Sequence, residues 1–118
     1  MKYLLLIHQG DTPTPDTDKW AQLSPDEQNA VYRDYQAVNQ TPGVTPGLWL
    51  QPPAAATTVR VQDGRTLTTD GPFVAVKEAL GGYLLFEADD LDAAIELASR
   101  IPAARLGGAV EVRPVREG

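Results

Sequence analysis

Two stretches of the chain are apolar at almost every position, so a strand formed by either stretch would be apolar on both faces. Residues 2–8 read Lys-Tyr-Leu-Leu-Leu-Ile-His, and residues 82–88 read Gly-Tyr-Leu-Leu-Phe-Glu-Ala. A strand that is apolar on both sides is typical of the centre of a sheet that is covered on both faces. We therefore predict two central strands over these residues.

A helix is predicted after Ser24 by several start signals that occur together. Ser24 suits the N-cap position, Pro25 suits the first helical position, and Glu27 completes a capping box. Apolar residues then recur at helical spacing, and Pro42-Gly43 follows, so we expect the helix to end near Gln40.

A second helix is predicted to begin at Asp89 or Asp90, either of which can act as its cap. We expect this helix to end at or close to Pro102. Its apolar stripe has the spacing i, i+3, i+4, i+7 and consists of Leu91, Ala94, Ile95 and Ala98.

A hairpin is predicted around Asp63-Gly64, which separates alternating runs over residues 57–62 and 65–69. Asp-Gly between two such runs is a strong signal for a two-residue turn. The turn fixes the register, which pairs Gln62 with Arg65, Arg60 with Leu67, and Thr57 with Asp70.

The order of the elements predicts an α+β fold over a single domain, residues 1–118. Further strands are expected over residues 44–50 and 109–113, and residues 9–19 are predicted to form a loop. Two strand–helix–strand units make a ferredoxin-like antiparallel sheet with two helices on one face, plus the inserted hairpin. The other sheet face is then apolar without a cover, which predicts a homodimer through that face.

Asp70-Gly71-Pro72 ends the hairpin in a turn that presents one carboxylate. His8 is the one histidine of the chain, and imidazole changes its charge near neutral pH. If the two approach, Asp70 and His8 form a candidate catalytic pair for moving protons. The alternatives are that Asp70 only closes its own turn and that His8 only bonds to a backbone carbonyl.

Composition excludes several classes of function. The 10 basic and 16 acidic residues give a formal charge of −6, so direct nucleic-acid binding is not expected. The chain has no cysteine, and no acidic cluster has ligand spacing, so we expect no metal and no cofactor. The apolar run over residues 3–7 is too short for a signal peptide or a membrane span, which predicts a cytoplasmic protein without membrane contact.

The central motif resembles the YCII-related family, in particular its DGPF branch. The resemblance rests on Asp70-Gly71-Pro72-Phe73, Lys77-Glu78 and Gly81-Gly82-Tyr83, and on the ends of the chain. It implies the same fold and dimer, a His–Asp pair in some relatives, and a genomic association with extracytoplasmic-function sigma factors. Two departures stand against catalysis: residues 20–40 hold no histidine, and Val74-Ala75-Val76 replaces the more polar Ala-Glu-Thr of the branch.

Candidate ligand-binding residues are taken from the same region and from the aromatic side chains. They are Trp49, Phe73, Lys77, Glu78 and Tyr83, with Trp20 and Tyr3 as further possible walls. Packing in the core or dimer is the alternative for the aromatic residues other than Trp20, and a structural role at the dimer edge is the alternative for Lys77 and Glu78. We place the pocket where the end of the first strand, the loop after His8 and the Asp70 turn converge.

Two functions follow from these candidates. The first is binding of an unknown small metabolite by a non-catalytic dimer, in a regulatory context linked to sigma factors. The alternative is a small lyase- or isomerase-type acid–base enzyme that uses Asp70, with or without His8.

Overall fold

The computed structural model describes residues 1–71 and 80–117 and has a mixed α+β architecture. Two single 3-10 turns cover Pro53–Ala55 and Pro102–Ala104. In chain order the elements are β1 (Lys2–His8), α1 (Asp18–Gln22), α2 (Pro25–Asn39), β2 (Val44–Trp49), β3 (Thr57–Gln62), β4 (Arg65–Asp70), β5 (Leu80–Glu87), α3 (Leu91–Ser99) and β6 (Ala109–Pro114).

The main sheet has four strands in the order β2-β5-β1-β6, and each neighbouring pair is antiparallel. The two strands predicted to be central, β1 and β5, are the two inner strands. The second of them begins at Leu80, two residues earlier than its apolar run indicates.

One face of the sheet carries the core. The register sets Tyr3, Leu5 and Ile7 opposite Phe86, Leu84 and Gly82, so these side chains share a face. Helices α2 and α3 pack on this face of the sheet, in agreement with the prediction of two helices on one face. The buried cluster consists of Tyr3, Leu5, Ile7, Leu84, Phe86 and Ala88 from the sheet side, Val38, Ala94, Leu97 and Ala98 from the helices, and Ile101 and Ala103 beyond α3.

The opposite face of the sheet is also apolar at its centre. Leu4 pairs with Leu85 and Leu6 pairs with Tyr83, and all four side chains retain solvent exposure. Glu111 and Arg113 of β6 lie opposite Leu6 and Leu4 and border this apolar centre on one side. We refer to this surface as the open face.

The helix starts follow the capping signals. The Ser24 hydroxyl accepts a hydrogen bond from the Glu27 N–H (3.1 Å), and the Glu27 carboxylate accepts one from the Ser24 N–H (2.9 Å), which confirms the capping box. The Ser24 backbone N–H, and then its hydroxyl, lower the pKa of Glu27. At α3 the cap is Asp90, whose carboxylate accepts from the Ala93 N–H (2.9 Å).

The prediction of a loop over the whole of residues 9–19 is wrong at its end, because α1 begins at Asp18. The Thr17 hydroxyl oxygen accepts hydrogen bonds from the N–H groups of Thr14 (3.0 Å) and Trp20 (3.4 Å), and so caps this helix. Five residues are too few to show an apolar stripe of helical period, which is why the pattern did not reveal the helix.

The hairpin has the predicted register throughout, from Gln62 opposite Arg65 to Thr57 opposite Asp70. Both turn residues have positive φ, 52° at Asp63 and 75° at Gly64, as a type I′ turn requires. Strands β3 and β4 form a separate two-stranded sheet, and its side chains are largely exposed.

Candidate functional site

A cavity of about 650 Å³ opens beside the edge of the main sheet. The loop after β1 forms one side of it, α1 and α2 form another, and the end of β2 with the following segment closes a third. Its described lining is Gln9, Gly10, Thr12, Pro13, Thr14, Pro15, Asp16, Thr17, Trp20, Val31, Tyr32, Tyr35, Trp49, Leu50, Gln51, Pro52, Pro53, Leu80 and Gly81.

Four aromatic side chains stand in this lining as two edge-to-face pairs. The ring centroids of Trp20 and Tyr32 are 5.2 Å apart with an interplanar angle of 72°, and those of Tyr35 and Trp49 are 4.8 Å apart at 89°. Edge-to-face contact is a favoured arrangement of aromatic rings and holds the four rings in fixed orientations. Trp20 and Trp49 are the two tryptophans of the chain, so both report on the cavity.

Two adjacent glycines of β5 make room for this lining. A Cβ at Gly82 would lie 3.0 Å from Cε3 of Trp49, so the indole ring rests directly on the backbone. A Cβ at Gly81 would lie 2.3 Å from Cγ of Gln9, whose side chain crosses the strand at that point. The Gly81-Gly82 pair therefore positions one aromatic wall and one polar group of the cavity.

The polar lining contains buried groups without partners. Oε1 of Gln9 and Oγ1 of Thr12 are buried and have no hydrogen-bond partner in the part of the chain that the structure describes. Thr12 is only 4% exposed. Because these two oxygens have almost no solvent-accessible surface, they lie behind the cavity wall, and each carries the cost of an unpaired buried polar group.

Tyr35 belongs to the aromatic wall, and its hydroxyl lies beside the Gln9 side chain. Burial raises the pKa of Tyr35 to about 12, against the smaller lowering effects of the Gln9 side chain, the Ala103 backbone and the Arg105 guanidinium. A phenol is already uncharged at neutral pH, and burial extends this state of Tyr35 further into the alkaline range.

The charges around the cavity are distributed unevenly. Asp16 is the one charged residue in the described lining. The neighbouring cations face carboxylates elsewhere: Lys19 lies 3.9 Å from Asp11, and Arg105 is paired with Asp34. The described walls of the cavity thus offer negative charge and ring faces, but no basic side chain.

His8 stands at the end of β1 with an acidic neighbour from β6. Its Nε2 is 3.5 Å from Oε1 of Glu111, and Glu111 is also paired with Arg113. Arg113 is the main cause of the lowered pKa of Glu111, with His8 contributing less. The carboxylate that the structure places beside the histidine is therefore Glu111, which lies in the strand predicted over residues 109–113.

Asp70 occupies the end of β4, as predicted, opposite Thr57. Gly71 has φ of 98°, and its turn is held by its N–H to the Ala56 carbonyl (2.7 Å) and by the Thr58 hydroxyl to its own carbonyl (2.7 Å). The Asp70 carboxylate is exposed and forms no hydrogen bond or ion pair with other described residues. A pairing of Asp70 with His8 stays a prediction.

Comparison with known proteins decides the relationship of the chain. Residues 1–117 match the family model of the YCII-related domain. The chain belongs to the YCII-related family. An uncharacterized protein of Rhizobium meliloti (strain 1021) is 33% identical over 120 residues, which cover 98% of this chain and 92% of that protein.

Two of the five predicted ligand-binding residues of this YCII-related protein lie within the described ranges, and they lie in different places. Trp49 lines the cavity. Tyr83 lies on the open face against Gly47, where a Cβ would come 2.6 Å from its ring. Phe73, Lys77 and Glu78 lie outside the described residues. Of the two further candidates, Trp20 lines the cavity and Tyr3 is part of the core.

The tyrosine and polar residues that line the cavity were not predicted from the sequence. Tyr32 and Tyr35 are separated by three positions and so lie on one side of α2. Trp20, in the preceding helix α1, packs against Tyr32. This spacing was the available signal for the aromatic wall. For Gln9 and Thr12 there was none, because their place depends on how the loop after β1 packs.

Two kinds of site are not observed in the described ranges. No group of three or more histidine, aspartate or glutamate side chains is arranged to hold a metal ion there. Within the same ranges, none of the helices has the length and apolar character needed to cross a membrane.

Proposed function

We propose that this YCII-related protein binds a compact, flat small molecule in the cavity walled by Trp20, Tyr32, Tyr35 and Trp49. The observation that carries this proposal is the set of four oriented aromatic rings in the wall of one cavity. Aromatic walls with a few placed polar groups are the usual composition of small-molecule sites.

The volume supports the same conclusion. A cavity of about 650 Å³ falls within the range of roughly 300–1,000 Å³ that is typical of ligand pockets. A planar ligand gains stacking and edge contacts from the rings. The ligand is thus expected to have a flat apolar body.

The test is a thermal-shift screen of small aromatic and enolic metabolites. A ligand that binds only the folded state raises Tm in a concentration-dependent way. Trp49→Leu should abolish or strongly reduce the shift, because it removes a wall of the cavity. Val61→Thr, a change on the exposed hairpin, is the matched control and should leave the shift unchanged. A shift that persists fully in Trp49→Leu would contradict binding in this cavity.

We also propose that the main sheet has the ferredoxin-like arrangement and dimerises through the open face. The strand order β2-β5-β1-β6 is what two linked strand–helix–strand units give when their outer strands flank the inner pair. Leu4, Leu6, Tyr83 and Leu85 form the apolar centre of that face, and a second copy is the simplest cover for it.

The alternative function is an acid–base enzyme that uses Asp70 with or without His8. The closest acidic contact of His8 that the structure records is Glu111, so the described contacts favour binding over this reaction. Membership of the DGPF branch, a link to sigma factors and a cytoplasmic location stay predictions that rest on the sequence.

A further inference from the structure

We infer that the cavity selects by charge: it takes an organic cation with a flat apolar body, and it discriminates against anions of the same shape. This inference rests on the proposed binding function and names the chemical class of its ligand. It comes from two features of the described lining, which are its charge and its ring faces.

The first feature is the sign of the charge. Asp16 is the one charged group of the described lining, and it is exposed at the cavity rather than paired in any described ion pair. Lys19 and Arg105, the nearby cations, have Asp11 and Asp34 as partners. With a formal charge of −6 on the whole chain, an anionic ligand meets repulsion both locally and at a distance.

The second feature is the aromatic wall. Ring faces carry a negative electrostatic potential, and they attract cations more strongly when the rings are tryptophan or tyrosine. All four rings of this cavity are of those two types. Tyr35 is held as the uncharged phenol, so its ring acts through its face and its hydroxyl.

A protonated amine or a cationic nitrogen heterocycle suits both features, whereas a carboxylate or phosphate of the same shape meets repulsion from Asp16 and from the ring faces.

The experiment compares three ligands of nearly the same shape that differ in charge: phenethylamine, phenethyl alcohol and phenylacetate. Binding is followed by tryptophan fluorescence, because Trp20 and Trp49 are the tryptophans of the chain and both line the cavity. We expect the amine to bind most tightly, the alcohol to bind about 3-fold or more weakly, and the acid to bind weakest.

Asp16→Asn then tests the source of the preference. The variant should bind the amine about 2- to 5-fold more weakly, as is typical for loss of an exposed ion pair, and should bind the alcohol as before. The control is Asp63→Asn, which removes the same charge at the hairpin turn, where Asn-Gly suits a type I′ turn equally well. It should leave all three affinities unchanged.

The outcomes separate the two proposals. Saturable binding that ranks the acid equal to or above the amine overturns the charge inference and leaves the binding function standing. An equal loss of amine affinity in both aspartate variants also overturns it, because net charge alone would then be the cause. If none of the three ligands gives saturable quenching, both proposals fail.

Discussion

Replacing Tyr35 by phenylalanine should change how the stability of the protein depends on alkaline pH. The hydroxyl of Tyr35 is buried beside Gln9, and burial raises its pKa from 10.0 to about 12. Tyr35→Phe removes that titration and keeps the aromatic ring in the cavity wall. At pH 8 the variant should be less stable by about 1 kcal/mol, since it loses a partly buried polar contact.

The sign of the pH effect follows from linkage. Below pH 10 the phenol is protonated in both the folded and the unfolded chain. Above pH 10 the unfolded chain loses the proton while the folded protein retains it until about pH 12, so ionisation favours unfolding. Each pH unit in this window corresponds to about 1.4 kcal/mol, and partial exposure of the ring reduces the loss to about 1 kcal/mol between pH 9 and 11.

The assay is urea denaturation of both proteins at intervals between about pH 8 and pH 11, with the free energy of unfolding extrapolated to water. Other groups titrate in both proteins, so the difference between them isolates Tyr35. The advantage of the wild type should shrink to near zero by pH 11. A stability difference between wild type and Tyr35→Phe that stays constant over this pH range would refute the reasoning. The same pH trend in Tyr32→Phe would also refute it, because that variant removes an exposed hydroxyl from the same helix.

Two further predictions concern the turn and the open face. Gly71→Val should destabilise the protein by roughly 1–3 kcal/mol in urea denaturation, because φ is 98° at this position. A Cβ there would meet open space, so the cost comes from the backbone and not from a clash. An unchanged stability would show that the backbone adjusts without strain. Light scattering at micromolar concentration should report twice the chain mass, and Leu6→Asp should reduce it to one chain mass; a wild-type monomer would contradict the dimer.

The parts of the fold that the sequence predicted well are those set by neighbouring residues. Asp63-Gly64 determines the turn type, and the turn type determines each pair of the hairpin. Ser24 and Glu27 satisfy each other's backbone donors, so the start of α2 could be read from four consecutive residues. The central position of β1 followed from its two apolar faces.

The candidate site was harder to predict because its parts come from distant segments. Trp20 and Trp49 were recognisable as candidates, but their shared cavity depends on the packing of α1, α2 and the end of β2. The partner of His8 depends on the pairing of β1 with β6, which sets His8 opposite Ala109 and brings Glu111 within reach. No local pattern encodes either arrangement.

The positions of the titratable groups favour binding over proton transfer. A general base works best when its pKa lies near the working pH. In the cavity, burial moves the pKa of Tyr35 away from neutrality, and the buried polar groups of Gln9 and Thr12 do not titrate. On the open face, Arg113 already engages Glu111 and lowers its pKa, so this carboxylate is a weaker proton acceptor than an unpaired one. The aromatic wall and the His8–Glu111 pair thus lie on different parts of the described structure, and the carboxylate in the described lining of the cavity is the exposed Asp16.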